Sequence, residues 1–66
     1  MTVTVNGEPR EVPPGTTVAQ VVATLTSRPS GIAAAVNGEV VPRGAWAATP
    51  LCRGDQVDVV TAVQGG

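Results

Sequence analysis

Valine alternates with polar residues at the start of the chain, which predicts a strand over Thr2–Val5 with one apolar face. Asn6-Gly7 follows, and this pair favours a tight hairpin turn because both residues tolerate a positive φ. The chain then returns in a second strand, predicted over residues 8–12. Pro9 has no N–H for a second neighbouring strand, so this strand is expected at the edge of a sheet.

The following segment changes to helical periodicity. Its apolar residues lie three or four apart along one stripe, at Val18, Val21, Val22 and Leu25. Thr17, with Gln20 three residues later, matches a capping box and marks the start of the predicted helix. Residues 27–31, with the sequence Ser-Arg-Pro-Ser-Gly, are expected to end it.

Short strands dominate the second half of a chain that contains thirteen valines, because β-branched side chains suit a pleated surface. A third strand is predicted over Ile32–Val36. The turn Asn37-Gly38 returns the chain into a fourth strand over residues 39–41. Residues 42–51 have no clear period and are expected to form a short turn of helix and a loop. Arg53-Gly54-Asp55 is predicted as a turn before the last strand.

The last strand, predicted over residues 56–63, is apolar on nearly both faces. Val57 and Val59 lie on one face, and Val60 and Ala62 lie on the other, with a single aspartate as the exception. A strand that is apolar on both sides is typical of the middle of a sheet. We therefore expect this strand to be central.

The predicted order β-β-α-β-β-β indicates an α+β protein with a β-grasp fold, a mixed five-stranded sheet with one helix packed across one face. The last strand is expected beside the first and parallel to it. Residues 1–63 would form this domain, and residues 64–66 a flexible tail. A small barrel is the alternative, but the capped amphipathic helix argues against it.

Composition argues against an enzyme. A chain of 66 residues forms one small core worth roughly 3–5 kcal/mol, and it has no His, Lys, Tyr or Phe and a single cysteine. The commonest general base and a Schiff-base lysine are therefore missing, and so is a suitable ligand set for structural zinc. A net charge of −1 provides no basic face for nucleic acid. These features favour a carrier, a binding module or a subunit.

The sequence predicts a cytoplasmic protein. One cysteine excludes an internal disulfide bond, the N-terminal residues lack the pattern of a secretory signal, and the longest apolar run is far shorter than the ~20 residues of a membrane span. Arg53 is the only neighbour that would activate Cys52, so an inert or partly buried thiol is favoured. Trp46 is expected to cover the edge of the core rather than to anchor a partner, and Arg43 to be a solvated loop residue.

The segment Gln64-Gly65-Gly66 is the strongest functional signal. Glycine has no Cβ, so a Gly-Gly end can enter a narrow channel and present its carboxylate there. With an ordinary pKa near 3.3–3.7 that carboxylate is an anion and a poor acyl donor. Its reaction requires activation with ATP by a second protein, because this chain has no phosphate-binding loop with a lysine. The alternative is an inert end whose small residues arose by chance.

Several short motifs occur in a specific order and spacing: Val5-Asn6-Gly7-Glu8, Pro14-Gly15-Thr16-Thr17-Val18, Val36-Asn37-Gly38, Val41-Pro42-Arg43 with Trp46, Gly54-Asp55-Gln56-Val57, and Gly65-Gly66. Together they resemble the thiamine-pathway sulfur carrier (ThiS) family of ubiquitin-like proteins, over the whole chain. The resemblance implies that an adenylyltransferase activates Gly66 with ATP and magnesium. Sulfur from a cysteine desulfurase or a relay protein would then give a thiocarboxylate, which supplies a thiazole synthase. The carrier would be a co-substrate that binds no cofactor itself and is monomeric when free.

The resemblance to ubiquitin-like proteins also implies a docking surface. Val60, Ala62 and Val63 are the expected partner-binding patch beside the tail, with Val60 and Ala62 on the face opposite the helix. Asp58 departs from this pattern because an apolar residue is expected at its position. The alternative is that these are ordinary half-exposed strand residues.

Three other functions remain open at this point. A carrier with the same tail serves as the small subunit of molybdopterin synthase, although such chains tend to be longer. A ubiquitin-like modifier would form isopeptide bonds with other proteins. A plain interaction module would have an inert tail.

Overall fold

Five strands, one α-helix and one 3₁₀ helix form the fold in the computed structural model, which describes residues 1–26 and 31–61. The elements are β1 (Thr2–Val5), β2 (Glu8–Glu11), α1 (Val18–Leu25), β3 (Ile32–Val36), β4 (Glu39–Val41), the 3₁₀ helix (Arg43–Ala48) and β5 (Gln56–Thr61). The strand order is β2-β1-β5-β3-β4. β5 is parallel to β1 and antiparallel to β3. The predicted β-grasp topology is confirmed, with β2 at an edge and β5 in the centre.

Two Asn-Gly turns form the two hairpins as predicted. Asn6 and Asn37 have φ values of 50° and 52°, and the glycine after each has a φ of 84°. Positive φ at both central positions is the type I′ geometry, which matches the twist of paired strands. The second turn pairs Val36 with Glu39, and this pairing sets the register of β3 and β4.

The capping box predicted for α1 is present. Gln20 N donates to Thr17 Oγ1 at 3.3 Å, and Thr17 N donates to Gln20 Oε1 at 2.9 Å. Leu25, the last residue of the predicted apolar stripe, is 36% exposed, whereas Val18, Val21 and Val22 are buried. It is the last residue of α1 and lies outside the core cluster. Residues 27–30 of the predicted helix end lie outside the described residues.

The core lies between the sheet and α1, and it is built mainly from small side chains. It consists of Val3, Val5, Val18, Val21, Val22, Ala34, Trp46, Leu51 and Val57. Trp46 is 5% exposed, and its Nε1 donates to the carbonyl of Val41 at 2.9 Å. The prediction that this indole completes the core is confirmed. Within the described ranges, no helix is long and apolar enough to cross a membrane.

Candidate functional site

β5 leads through the middle of the sheet toward the predicted tail, and its two faces differ as expected. Val57 is fully buried and Val59 packs against the core, whereas Val60 is 58% exposed on the opposite face. The other predicted site residues lie outside the described part of the chain: Ala62, Val63, Gln64, Gly65 and Gly66. Their roles remain predictions.

A group of side chains surrounds Val60 on the face of the sheet that α1 leaves open. Val60 pairs with Ala33 of β3, while Ala35 pairs with Asp58 on one side and with Val40 of β4 on the other. These residues line one shallow hollow of about 150 Å³. We refer to Ala33, Ala35, Val40, Asp58 and Val60 as the open-face patch.

Asp58 gives the open-face patch an acidic border. It is exposed, and within residues 1–26 and 31–61 it forms no ion pair. Asp58 is the cross-strand neighbour of Ala35, which in turn pairs with Val40. The cross-strand neighbour of Val60 is Ala33. The departure from an apolar patch noted in the sequence therefore affects the border of the patch and leaves Val60 beside small apolar neighbours.

Both hairpin asparagines also bind the backbone of β5. Asn6 Oδ1 accepts a hydrogen bond from Val59 N at 2.8 Å. Asn37 Oδ1 accepts one from Gln56 N at 2.9 Å. The two turns therefore hold the strand that leads to the tail, at its start and near its end.

The ThiS family model matches residues 3–66 of this chain. The chain belongs to the ThiS family. The resemblance drawn from the sequence motifs is confirmed, and the match reaches the Gly65-Gly66 segment.

Relatives of known name and structure agree with this assignment. The Sulfur carrier protein ThiS of Escherichia coli strain K12 is 32% identical over 66 residues, which is 100% of both chains. The crystal structure of the thiamine biosynthesis protein (ThiS) from Geobacter metallireducens superposes with a TM-score of 0.84 at 32% identity, and covers 100% of both chains. The NMR solution structure of a thiamine biosynthesis protein from the same organism gives a TM-score of 0.79 at 32% identity, over 100% of this chain and 88% of that one.

Sequence reasoning missed part of the open-face patch. It identified Val60 but not Ala33, Ala35 and Val40. The signal was present, because the two-residue turn after β3 makes Val36 pair with Glu39 and so places Ala35 opposite Val40. The contacts from the asparagine side chains to β5 carried no comparable signal, since they join residues far apart in sequence.

The remaining candidates lie away from the open-face patch. Cys52 is exposed, which excludes the partly buried thiol, one of the two alternatives expected for it. That the thiol is inert stays a prediction. Cys52 begins a solvent-facing turn, and its backbone N–H donates to Asp55 Oδ2 at 2.8 Å. Arg43 is exposed, as expected, and lines a groove between α1 and the 3₁₀ helix. In the described part of the chain no three His, Cys, Asp or Glu residues are grouped as metal ligands.

The electrostatic contact at the other edge of the sheet is separate from the open-face patch. Thr2 Oγ1 donates to Glu11 Oε1 at 2.8 Å, and the amino group of Met1 lies 3.2 Å from Glu11 Oε2. The hydrogen bond from Thr2, followed by the Met1 amino group, lowers the pKa of the Glu11 carboxyl below its ordinary value. Glu11 is on β2, so this contact supports the sheet edge.

Proposed function

We propose that this chain is a sulfur carrier in thiamine biosynthesis, and that the carboxyl group of Gly66 is the group that carries the sulfur. The observation that carries the proposal is the ThiS family match, which includes Gly65 and Gly66. The Escherichia coli relative, named as a sulfur carrier, aligns over its whole length. The fold supports the same role, because the strand that precedes the Gly-Gly segment in the sequence, β5, is central in the sheet.

The chemistry begins with activation of the Gly66 carboxylate. An adenylyltransferase partner joins it to the α-phosphate of ATP in the presence of magnesium, and pyrophosphate leaves. The terminal sulfur of a persulfide then attacks the acyl carbon, and AMP leaves. Reductive cleavage of the resulting S–S bond by a thiol gives the thiocarboxylate, and this sulfur passes to a thiazole synthase. The described residues form a scaffold that presents the tail to each partner in turn.

Docking of the partner enzymes is assigned to the face of the sheet that carries Val60, and to Ala62 and Val63, which follow β5 in the sequence. Val60 is well exposed and lies beside Ala33 and Ala35, with Asp58 at the border of the same hollow. Such a patch buries apolar surface on contact without a large conformational change in the carrier. The tail would then enter the channel of the activating enzyme from a fixed starting point.

Mass spectrometry tests this proposal directly. The chain is expressed with its adenylyltransferase and a cysteine desulfurase, and we expect replacement of one oxygen atom of Gly66 by sulfur. A variant that lacks Gly65 and Gly66 should acquire no sulfur. Gly44→Ala is the control, because a Cβ there meets no atom within 4 Å. Sulfur transfer that persists without Gly65 and Gly66 would refute the proposal.

Mass spectrometry, together with growth after deletion of the gene, separates the alternatives raised by the sequence. Covalent adducts with other proteins would indicate a modifier. Requirement for molybdopterin rather than thiamine after deletion of the gene would indicate the other sulfur-carrier pathway. An unmodified chain that still supports growth without thiamine would leave only an interaction module.

A further inference from the structure

The peptide groups of β5 point alternately to its two neighbouring strands. Asn37 N donates to the carbonyl of Gln56 at 2.7 Å, and Val60 pairs with Ala33. Residues 56, 58 and 60 therefore direct their N–H and C=O groups toward β3. Residues 57, 59 and 61 direct theirs toward the side of β1, as the bond from Asn6 N to the carbonyl of Val57 at 2.9 Å shows.

Asn6 ends the pairing of β1 with β5. The last register pair between the two strands is Val5 with Val57, and the chain then reverses at the Asn6-Gly7 turn. Asn6 fills one further position of the ladder, because its N–H binds the Val57 carbonyl and its side-chain Oδ1 accepts the Val59 N–H at 2.8 Å. The side-chain amide takes the place that a backbone carbonyl would have in a longer strand.

Among residues 1–26 and 31–61, no strand lies beside the next position along this edge. The carbonyl of Val59 and the N–H of Thr61 point to the same side as the groups that Asn6 binds, and among the described residues nothing pairs with them. Beside them is an open hollow of about 390 Å³ with a partly apolar lining, which includes Leu25 and Ile32. A carbonyl and an N–H spaced in this way match the backbone of an extended segment from another chain.

We propose that this edge of β5 pairs with an extended backbone segment of the adenylyltransferase, which adds a strand at the position where Asn6 ends β1. The proposal rests on the proposed function, since the sulfur-carrier role supplies the partner. Residues 62–66 follow Thr61 directly and span at most about 17 Å when extended. A strand paired at Thr61 would therefore anchor the base of the tail within that distance of the reacting carboxyl group. Asn6 is a positioning residue here, because it sets where the partner strand begins.

Amide hydrogen exchange of the wild-type chain gives the first test. In the free protein, the N–H groups of Val60 and Val59 should be protected by Ala33 and by Asn6, while the Thr61 N–H exchanges rapidly. On addition of the adenylyltransferase that activates this chain, exchange at Thr61 should slow at least tenfold. Thr61 protection equal to that of Val60 in the free protein, or rapid exchange at Thr61 in the complex, would overturn the proposal.

Two variants separate pairing from simple coverage of the surface. Thr61→Pro removes the N–H on the side away from β3, whereas Thr61→Val keeps it and is also β-branched. We expect Thr61→Pro to lower kcat/KM for adenylation about tenfold, the effect of losing one backbone hydrogen bond, and Thr61→Val to stay within about twofold. Protection of the Val60 N–H in each free variant checks that the sheet is intact. Equal kcat/KM for the two variants would contradict strand addition. If wild-type chain is not adenylated at all, the proposed function fails instead.

Discussion

Asn37 Nδ2 donates a hydrogen bond to Asp55 Oδ1 at 3.0 Å, across 18 positions of sequence. The other carboxylate oxygen of Asp55 accepts the backbone N–H of Cys52 at 2.8 Å. Asp55 therefore connects the turn after β3 to the turn before β5. Since Asn37 also accepts the N–H of Gln56, the start of the central strand is held by side chains as well as by its ladder.

Removal of this carboxylate should destabilise the fold measurably. Asp55→Ala loses both hydrogen bonds, and we expect a decrease of about 1–3 kcal/mol in the free energy of unfolding. Asp55→Asn keeps one oxygen acceptor and should lose about half as much. Urea unfolding followed by the fluorescence of Trp46 measures both values. A change below about 0.3 kcal/mol for Asp55→Ala would show that these contacts do not stabilise the strand.

Trp46 is expected to be the most sensitive core position. Trp46→Ala removes a buried indole, a loss of about 3–5 kcal/mol, which is as large as the whole stability expected of a domain this small. The variant should be largely unfolded at 25 °C by circular dichroism. Trp46→Phe keeps most of the apolar volume but leaves the Val41 carbonyl without its donor, so a loss of about 1–2 kcal/mol is expected. Similar melting temperatures for Trp46→Ala and the wild type would contradict the role of this residue in the core.

The role of the open-face patch in docking can be tested by introducing a charged side chain there, without a large effect on folding. Val60 and Val40 are 58% and 71% exposed, so Val60→Glu and Val40→Glu should each leave the melting temperature nearly unchanged. If the patch docks the adenylyltransferase close to the tail, Val60→Glu should lower kcat/KM for adenylation at least tenfold, which is about 1.4 kcal/mol. Val40→Glu, on the edge strand β4, should have a smaller effect. A larger decrease in kcat/KM for Val40→Glu than for Val60→Glu would place the contact farther from β5.

Acid should weaken the contact between Glu11 and the N-terminus. The pKa of Glu11 is lowered in the fold by the Thr2 hydroxyl and the Met1 amino group. The fold therefore stabilises the ionised form of the Glu11 carboxyl. The resulting contribution to the free energy of unfolding is fully present above the ordinary glutamate pKa of about 4.3. It is lost as the pH falls through the lower pKa of the folded state.

A matched variant isolates this contribution. Glu11→Gln has no carboxylate to protonate, so its melting temperature should fall less than that of the wild type as the pH decreases below about 5. Differential scanning calorimetry at several pH values gives the comparison. Glu39→Gln is the control, because Glu39 lies at the opposite edge of the sheet. Parallel curves for wild type and Glu11→Gln would exclude a stabilising role for the contact.

Local chemistry in the sequence was sufficient for most of the fold. Asn-Gly turns, the Thr17–Gln20 capping box and period-two alternation act between residues close in sequence, so their outcomes do not depend on the rest of the molecule. The central position of β5 was also predicted from the valines on both of its faces, although α1 covers only one face and Val60 on the other is 58% exposed. The family assignment followed from the order and spacing of short motifs.

Tertiary structure decided which of these residues meet. Asn6 and Val59 are 53 residues apart, and only the parallel pairing of β1 with β5 brings the turn amide to the backbone of the last strand. The exposure of Cys52 and Leu25 was likewise set by where a turn and a helix end relative to the core, which no local pattern encodes. The elements and the family could be predicted before folding was considered, because both depend on residues close together along the chain. The open-face patch and the edge of β5 beyond Asn6 could be recognised only in the packed sheet, because both depend on contacts between distant strands.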